Sequence, residues 1–75
     1  MNMSRIKELR KAKGYTQVKM QMLTGIDQSD YSKIEGGKRH CTFEQCRRLA
    51  IALDTSMDYI AGLTDEKDPY PRKKQ

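Results

Sequence analysis

The stretch TQVKMQMLTGIDQSDYSKIE, residues 16–35, decides the fold of this chain. Its first half predicts a helix over residues 17–24, which begins after an N-capping threonine and turns Met20 and Leu23 inward. We expect Gly25 to end this helix, because glycine readily adopts the left-handed conformation found just beyond helix ends. The stretch therefore opens with one short helix that carries signals at both ends.

The second half of the stretch predicts another helix over residues 28–35, capped by Asp27. At about 100° per residue, Tyr31 and Ile34 lie on its inward face. Two short helices joined by a glycine-containing turn are the helix-turn-helix signature, in which the second helix can enter the major groove of DNA. The same spacing also fits an ordinary helical hairpin in a small bundle.

The outward face of this second helix carries side chains that can form hydrogen bonds with base edges. Glutamine pairs bidentately with adenine, lysine bonds to guanine, and serine bonds to donors or acceptors. A face that is only solvated would more often carry Glu and Lys in pairs, so the composition favours recognition of bases. The candidate base-contacting residues are Gln28, Ser29, Ser32 and Lys33.

A first helix is predicted over residues 2–13, because apolar residues recur there at every third position. These residues are Met3, Ile6, Leu9 and Ala12. Lysine and arginine in its last turn suit the negative end of the helix dipole.

Two more helices are predicted after a glycine-rich loop over residues 36–39. A capping box over residues 42–45 opens the fourth helix. Its expected apolar face consists of Phe43, Cys46, Leu49, Ala50 and Leu53. Ser56 caps a short fifth helix, which Gly62 ends. No alternating β-branched run predicts a strand, so we expect an all-α fold, a compact five-helix bundle.

The chain of 75 residues fits one small domain. We expect this domain to cover residues 1–63 and residues 64–75 to form a flexible charged tail, because apolar periodicity stops at Thr64 and two prolines follow. The formal net charge is +5, from 15 Lys+Arg against 10 Asp+Glu, and most of the excess lies in the domain. A basic balance favours a polyanionic partner.

Several classes of function find no support in the sequence. No apolar run is long enough for a membrane span, and no signal peptide is visible, so we expect a cytoplasmic protein without membrane contact. His40, Cys41 and Cys46 are too few for structural zinc, and a disulfide between the two cysteines is not expected across a helix start. No orienting acid accompanies Cys41 and His40. We therefore expect no enzyme, metal, cofactor or small-molecule ligand.

Together these features resemble the Cro/repressor-type (Xre-like) helix-turn-helix regulators of bacteria and phages, over residues 4–63. The matching segments are Arg5-Ile6-Lys7-Glu8-Leu9-Arg10, Gly14-Tyr15-Thr16-Gln17, Gly25-Ile26, Tyr31-Ser32-Lys33-Ile34-Glu35, Gly37-Lys38-Arg39 and Leu49-Ala50-Ile51-Ala52-Leu53. Glycines, caps and apolar positions agree across five helices, which makes the resemblance specific. It implies the phage-repressor type of DNA-binding bundle, with helices two and three as the helix-turn-helix.

The resemblance also implies roles for particular residues. Gln17 would bond to a DNA phosphate at the start of helix two. Lys38 and Arg39 would contact the DNA backbone after helix three, whose outward residues would lie at or beside base edges. Arg10 and Glu35 would tie helix one to the end of helix three.

The chain departs from the family pattern at four positions. Gln21 stands where a small residue is usual, and Thr24 stands where leucine is frequent, while Leu23 takes a commonly polar place. Helix two is therefore expected to be slightly rotated or looser than in the family. Cys41 replaces a common proline, which makes its loop less rigid.

The expected function is a sequence-specific DNA-binding transcriptional regulator, with repression favoured over activation. It would bind a palindromic operator in double-stranded DNA as a homodimer, because one small module reaches too little affinity alone. The family pairs through its last helix, where Tyr59 is a candidate contact and Met57 and Ile60 are contacts or core. The alternative is a protein-interaction module, an antitoxin-like partner or adaptor that retains the fold. The operator sequence and target genes stay open.

Overall fold

The computed structural model describes residues 4–69, which contain five α-helices. They are α1 (Ser4–Ala12), α2 (Gln17–Thr24), α3 (Gln28–Glu35), α4 (Phe43–Ala52) and α5 (Met57–Ala61). Helix α2 packs against α3 and α4, α5 packs against α4, and α1 packs against α3 and α5. Residues 4–69 contain no strand, so the prediction of an all-α five-helix bundle is confirmed.

Side-chain caps set where four of the helices begin. The Thr42 hydroxyl accepts a hydrogen bond from the Gln45 N–H at 3.1 Å, and the Gln45 side chain accepts one from the Thr42 N–H at 2.9 Å. This reciprocal pair is the predicted capping box. Thr16, Asp27 and Ser56 cap α2, α3 and α5 with single side-chain bonds. These N-caps confirm the helix starts predicted from the sequence.

One hydrophobic core holds the helices together, and every helix contributes to it. Its largest fully buried apolar side chains are Ile6, Met20, Tyr31, Ile34, Leu49, Leu53 and Ile60. Burying a side chain of this size stabilises the fold by about 1.5–3 kcal/mol relative to exposure. Two of these residues belong to α3, so the core fixes which side of α3 faces outward.

The prediction that Leu23 of α2 faces the core is wrong. Leu23 is 45% exposed, whereas the neighbouring Thr24 is only 3% exposed. Thr24 lies four residues after Met20 and therefore on the same face of the helix. Its hydroxyl donates to the Met20 carbonyl at 2.7 Å, so burial leaves the hydroxyl with a partner. Thr24, and not Leu23, therefore lies on the buried face of α2.

Phe43 and Ala12, at helix ends, are also predicted to lie on apolar core faces, but both are exposed. Phe43 is 73% exposed, because it is the first residue of α4, whereas Cys46 and Leu49 in later turns are buried. Ala12, the last residue of α1, is exposed in the same way. Met3 lies outside the described residues.

The first part of the segment predicted to be a flexible tail is held against the bundle. Arg5 Nη1 donates to the Thr64 carbonyl at 2.6 Å, and its Nη2 donates to the Asp65 carboxylate at 2.8 Å. The Thr55 hydroxyl donates to the Lys67 carbonyl at 2.6 Å. The bundle is therefore tied to this segment as far as Lys67. The rest of the predicted tail, residues 70–75, lies outside the described residues.

Candidate nucleic-acid interface

The turn between α2 and α3 is fixed by three consecutive residues. Gly25 has a left-handed backbone with φ 72°, and its N–H closes the last turn of α2. Ile26 is buried, and its N–H donates to the Thr24 hydroxyl at 3.2 Å. Asp27 then caps α3. Because every residue of the turn is anchored, the angle between the two helices is well determined.

Arg48 of helix α4 contacts this turn. Its Nη1 donates to the Thr24 carbonyl at 3.3 Å, which satisfies a carbonyl at the end of α2. A β-carbon at Gly25 would lie 3.2 Å from the same nitrogen. Glycine is therefore favoured at position 25 both by its positive φ and by the close approach of Arg48.

Helix α3 has two distinct faces. Tyr31 and Ile34 are fully buried, as the rotation argument predicts. The opposite face carries polar side chains, and all four of the candidate base-contacting residues are exposed. They are Gln28, Ser29, Ser32 and Lys33. The structure thus brings these side chains together on an accessible face of the second helix of a helix-turn-helix.

A glycine turn sets the direction in which the chain leaves α3. Gly37 has φ 75°, its N–H donates to the Ile34 carbonyl at 3.1 Å, and the Lys38 N–H donates to the Lys33 carbonyl at 2.9 Å. This pair of bonds is the Schellman pattern, which requires a left-handed residue at position 37. Lys38, a candidate phosphate contact, is exposed directly after this turn.

The other candidate phosphate contact in this segment, Arg39, is held by an acidic residue of α3. Its guanidinium forms an ion pair with the Asp30 carboxylate, and both side chains are partly exposed. A phosphate contact by Arg39 would therefore compete with this carboxylate for the guanidinium.

The buried carboxylate of Glu35 connects three elements. Arg10 of α1 donates to it with Nε at 3.0 Å and Nη2 at 2.9 Å, which confirms the pair that the resemblance implied. The Tyr31 hydroxyl and Gln17 Nε2 also donate to it. Burial acts to raise the pKa of Glu35, but the hydrogen bonds from Arg10, Tyr31 and Gln17 outweigh it and lower that pKa. Glu35 is therefore ionised at neutral pH.

Gln17 lies at the mouth of a small polar cleft beside this carboxylate. Its Nε2 bonds to Glu35 at 3.2 Å, which uses one amide hydrogen and leaves the second for another acceptor. The cleft has a volume of about 150 Å³, and Lys7 and Ser32 also line it. Lys7 was not among the predicted contacts, because its place on the outer side of α1 carries no signal until α1 is packed against α3.

An apolar groove of about 270 Å³ forms a second surface feature, between α4, α5 and the residues after α5. Phe43 and Leu63 line it and are 73% and 77% exposed. Met57 and Ala61 of α5 line it as well. We call this surface the α5 groove.

The expectation that Tyr59 is an accessible dimer contact is wrong. Tyr59 is 6% exposed, and the guanidinium carbon of Arg5 lies 4.2 Å from the centre of its ring. Ile60 is fully buried in the core, whereas Met57 lines the α5 groove. Of the three residues proposed from the sequence, only Met57 borders an accessible apolar surface.

Two kinds of site are not found within the described part of the chain. Residues 4–69 contain no helix that is long and apolar enough to span a membrane. They also contain no group of three or more His, Cys, Asp or Glu side chains arranged to hold a metal ion. Cys41 and Cys46 are both free thiols.

The sequence is similar to known regulators. A family described as helix-turn-helix matches residues 6–60. The HTH-type transcriptional regulator YobD of Bacillus subtilis (strain 168) is 35% identical over 74 residues, and AnsR, an HTH-type transcriptional regulator of the same organism, is 35% identical over 72. The matches cover 99% and 96% of this chain but only 66% and 62% of those proteins, so the chain spans about two thirds of their length.

The fold is similar to two solved structures. A chain of the SinR protein/SinI protein complex matches with a TM-score of 0.75 and 28% identity, over 80% of this chain and 59% of that one. The restriction-modification controller protein C.AhdI from Aeromonas hydrophila matches with a TM-score of 0.71 and 35% identity, over 76% and 86%. The chain belongs to the Cro/repressor-type (Xre-like) helix-turn-helix family, which is a family of regulators and not of enzymes.

Proposed function

We propose that this chain is a sequence-specific DNA-binding transcriptional regulator that places α3 in the major groove of a palindromic operator. The division of α3 into two faces carries the proposal. Its large apolar side chains are buried, and its exposed face holds Gln28, Ser29, Ser32 and Lys33. Each has a group that can bond to a base edge. None of the four is needed to fill the core.

Candidate phosphate contacts in two segments beside α3 fit this orientation. Gln17 and Lys7 border the polar cleft between α1, α2 and α3, where the N-terminus of α2 adds a favourable dipole for an anion. Lys38 and Arg39 follow the C-terminal end of α3. Contacts from these two segments would help to fix the register of the recognition helix in the groove.

We further propose that the regulator acts as a homodimer and by repression. Specific sites are typically bound with a Kd of about 10⁻⁸–10⁻¹¹ M, which a single small module does not reach. Two copies on half-sites about one helical turn apart would double the contacts. The α5 groove is the proposed pairing surface, because a second copy would cover exposed Phe43 and Leu63. Repression needs only occupancy of the operator, so it requires no further surface.

Selection of bound sequences from a random double-stranded DNA pool tests the proposed function directly. We expect enrichment of a palindrome whose half-sites lie about one helical turn apart. Affinity for the enriched sequence should fall steeply with salt, because bound Lys and Arg release counterions from phosphates. Failure to enrich any sequence, at low salt as well as high, would contradict the proposal.

The pairing surface is tested by placing a charge in it. Leu63→Asp should convert a dimer to a monomer in sedimentation equilibrium and weaken binding to the palindrome more than to a single half-site. Met22→Asp is the matched control, because Met22 is 76% exposed on α2 and does not line the groove. Equal sedimentation behaviour of the two variants would show that the copies pair elsewhere.

A protein-interaction role is the second candidate function. Val18 and Met22, one helical turn apart on α2, are 62% and 76% exposed and form an apolar strip that DNA contact does not require. The SinR protein, similar in fold, is known in a complex with the SinI protein. Stoichiometric protein binding without any DNA affinity would favour this candidate.

A further inference from the structure

Cys41 and Cys46 lie on either side of the first turn of α4. Cys41 directly precedes the N-cap Thr42, and Cys46 is the fourth residue of the helix. Side chains at these two positions pack against each other across the first helical turn. Both cysteines line the α5 groove, and their thiols lie close enough to interact. The helix start therefore brings the two cysteine side chains together.

The two thiols have different environments. Cys41 is half-buried at the edge of the core, whereas Cys46 is 8% exposed within it. The hydrogen bond from the Cys46 thiol lowers the pKa of Cys41 to about 7, against the opposing effect of burial. The same hydrogen bond, together with burial and the charge on Cys41, raises the pKa of Cys46. Cys41 is thus the accessible thiol and the one that ionises first.

We propose that Cys41 and Cys46 form a dithiol pair that hydrogen peroxide oxidises to an intramolecular disulfide, with Cys41 as the thiol that reacts first. The pair joins an accessible sulfur to a buried partner already in contact with it, and the thiolate is the reactive form of cysteine. This chemistry does not require DNA binding. It does require an open α5 groove, since a second copy seated there would cover Cys41.

The first step oxidises Cys41. Its thiolate attacks one oxygen of hydrogen peroxide, an S–O bond forms, and the O–O bond breaks. The departing hydroxide takes a proton and becomes water. Cys41 is then a sulfenic acid, and the peroxide has received two electrons from its sulfur.

The second step closes the disulfide. Conversion of Cys41 to a neutral sulfenic acid removes its negative charge, which is one cause of the raised pKa of Cys46. Cys46 therefore loses its proton more readily, and its thiolate attacks the Cys41 sulfur. The S–S bond forms as the S–O bond breaks, and the hydroxide leaves as a second water. The net reaction consumes two thiols and one peroxide.

Mass spectrometry of the full chain treated with hydrogen peroxide tests the proposal. Cleavage after Arg39 and Arg47 releases residues 40–47, a single peptide that holds both cysteines. We expect this peptide to lose two hydrogen atoms and to regain them with dithiothreitol. A cross-linked pair of these peptides would place the disulfide between two chains and overturn the proposal. So would a peptide that keeps both thiols or stops at a sulfenic, sulfinic or sulfonic acid.

Two variants separate the roles of the sulfurs. Cys46→Ala should accumulate a dimedone-trapped sulfenic acid at Cys41, because no resolving thiol remains. In Cys41→Ser the remaining thiol, Cys46, should react with peroxide at no more than about one tenth of the rate of Cys41 in Cys46→Ala. A buried thiol in apolar surroundings is inert. Circular dichroism melting of both variants checks that each is folded during the reaction. Equal peroxide reactivity of folded Cys46→Ala and Cys41→Ser would contradict the assignment of Cys41 as the first thiol.

Discussion

The Glu35 carboxylate links the packing of α1, α2 and α3 to the surface proposed to face DNA. It accepts two hydrogen bonds from Arg10 and one from Gln17, so it joins α1, α2 and α3 at one point. The bond to Gln17 orients an amide whose second hydrogen is available to a phosphate. A residue that looks structural in the sequence therefore also positions a proposed DNA contact.

Replacing this carboxylate should destabilise the fold in a pH-dependent way. Glu35→Gln should cost about 1.5–3 kcal/mol at pH 7, the range for hydrogen bonds to a charged group. The pKa of Glu35 is held below its ordinary value of 4.5, so this stabilisation is complete above that pH and is lost as pH falls below it. Urea unfolding between pH 7 and pH 3 measures the difference between the two proteins.

Glu8→Gln controls for the loss of a carboxylate, because Glu8 is exposed on α1. It should unfold like the wild type at every pH. A gap between Glu35→Gln and the wild type that stays constant down to pH 3 would show that the charge of Glu35 is not what stabilises the fold.

The Asp30–Arg39 ion pair predicts a gain of DNA affinity on removal of its acid. Asp30→Asn frees the Arg39 guanidinium and removes a negative charge beside the phosphates. A plot of log K against log salt should therefore become steeper, by up to about one unit. Stability should change by less than about 1 kcal/mol, because the pair is partly exposed.

Asp65→Asn is the matched control for this effect. Asp65 is also paired with an arginine, but that arginine is Arg5 at the start of α1. If both variants bind DNA with the same affinity and salt dependence, the carboxylate of Asp30 does not oppose phosphate binding.

At the scale of elements, the α2–α3 turn constrains Gly25 in two ways, through its positive φ and through the nearby Arg48 side chain. Gly25→Ala should cost about 1–2 kcal/mol for a left-handed alanine, and a further loss because the new β-carbon would lie 3.2 Å from Arg48. Gly14→Ala separates the two effects, since Gly14 has the same φ of 72° and no atom near its β-position. Thermal unfolding should show the larger loss for Gly25→Ala. Equal losses would mean that Arg48 moves aside without cost.

Most element boundaries could be predicted because their signals are local. The N-caps of α2 to α5 and the glycines after α2 and α5 act through backbone bonds within one turn, so they are visible in the sequence. Leu23 and Phe43 were misplaced because burial depends on the neighbouring helices, and hydrophobicity alone does not show where those helices lie. Thr24 could be buried only because its hydroxyl bonds to its own helix.

The sequence likewise predicts only those parts of the candidate site whose signals lie within one helix. Rotation about α3 alone separates the exposed polar face from Tyr31 and Ile34. The cleft that adds Lys7 beside Gln17 forms only when α1 packs on α3. The hydrogen bond between Cys41 and Cys46 likewise depends on how the chain enters α4. These contacts are tertiary, and a helical pattern does not encode them.

At the scale of the whole molecule, the bundle exposes one face of α3 and buries the other, with Tyr31 and Ile34, in the core. The polar cleft and the Schellman turn both lie by the C-terminal end of α3, and the α5 groove is lined by α4, α5 and residues that flank them. One face of a helix can then determine specificity while other surfaces determine pairing and affinity. Variants of the exposed α3 residues should therefore alter DNA preference without altering stability.

The most direct measurement compares Lys33→Ala with Lys38→Ala on the selected operator and on operators with single base changes. Lys33→Ala should leave the melting temperature nearly unchanged and remove about 1–3 kcal/mol of discrimination at one base pair in each half-site. Lys38→Ala should weaken binding to all these DNAs equally and lower the salt slope by about one. If Lys33→Ala also weakens matched and altered operators equally, α3 does not recognise bases through this face, and the central claim is contradicted.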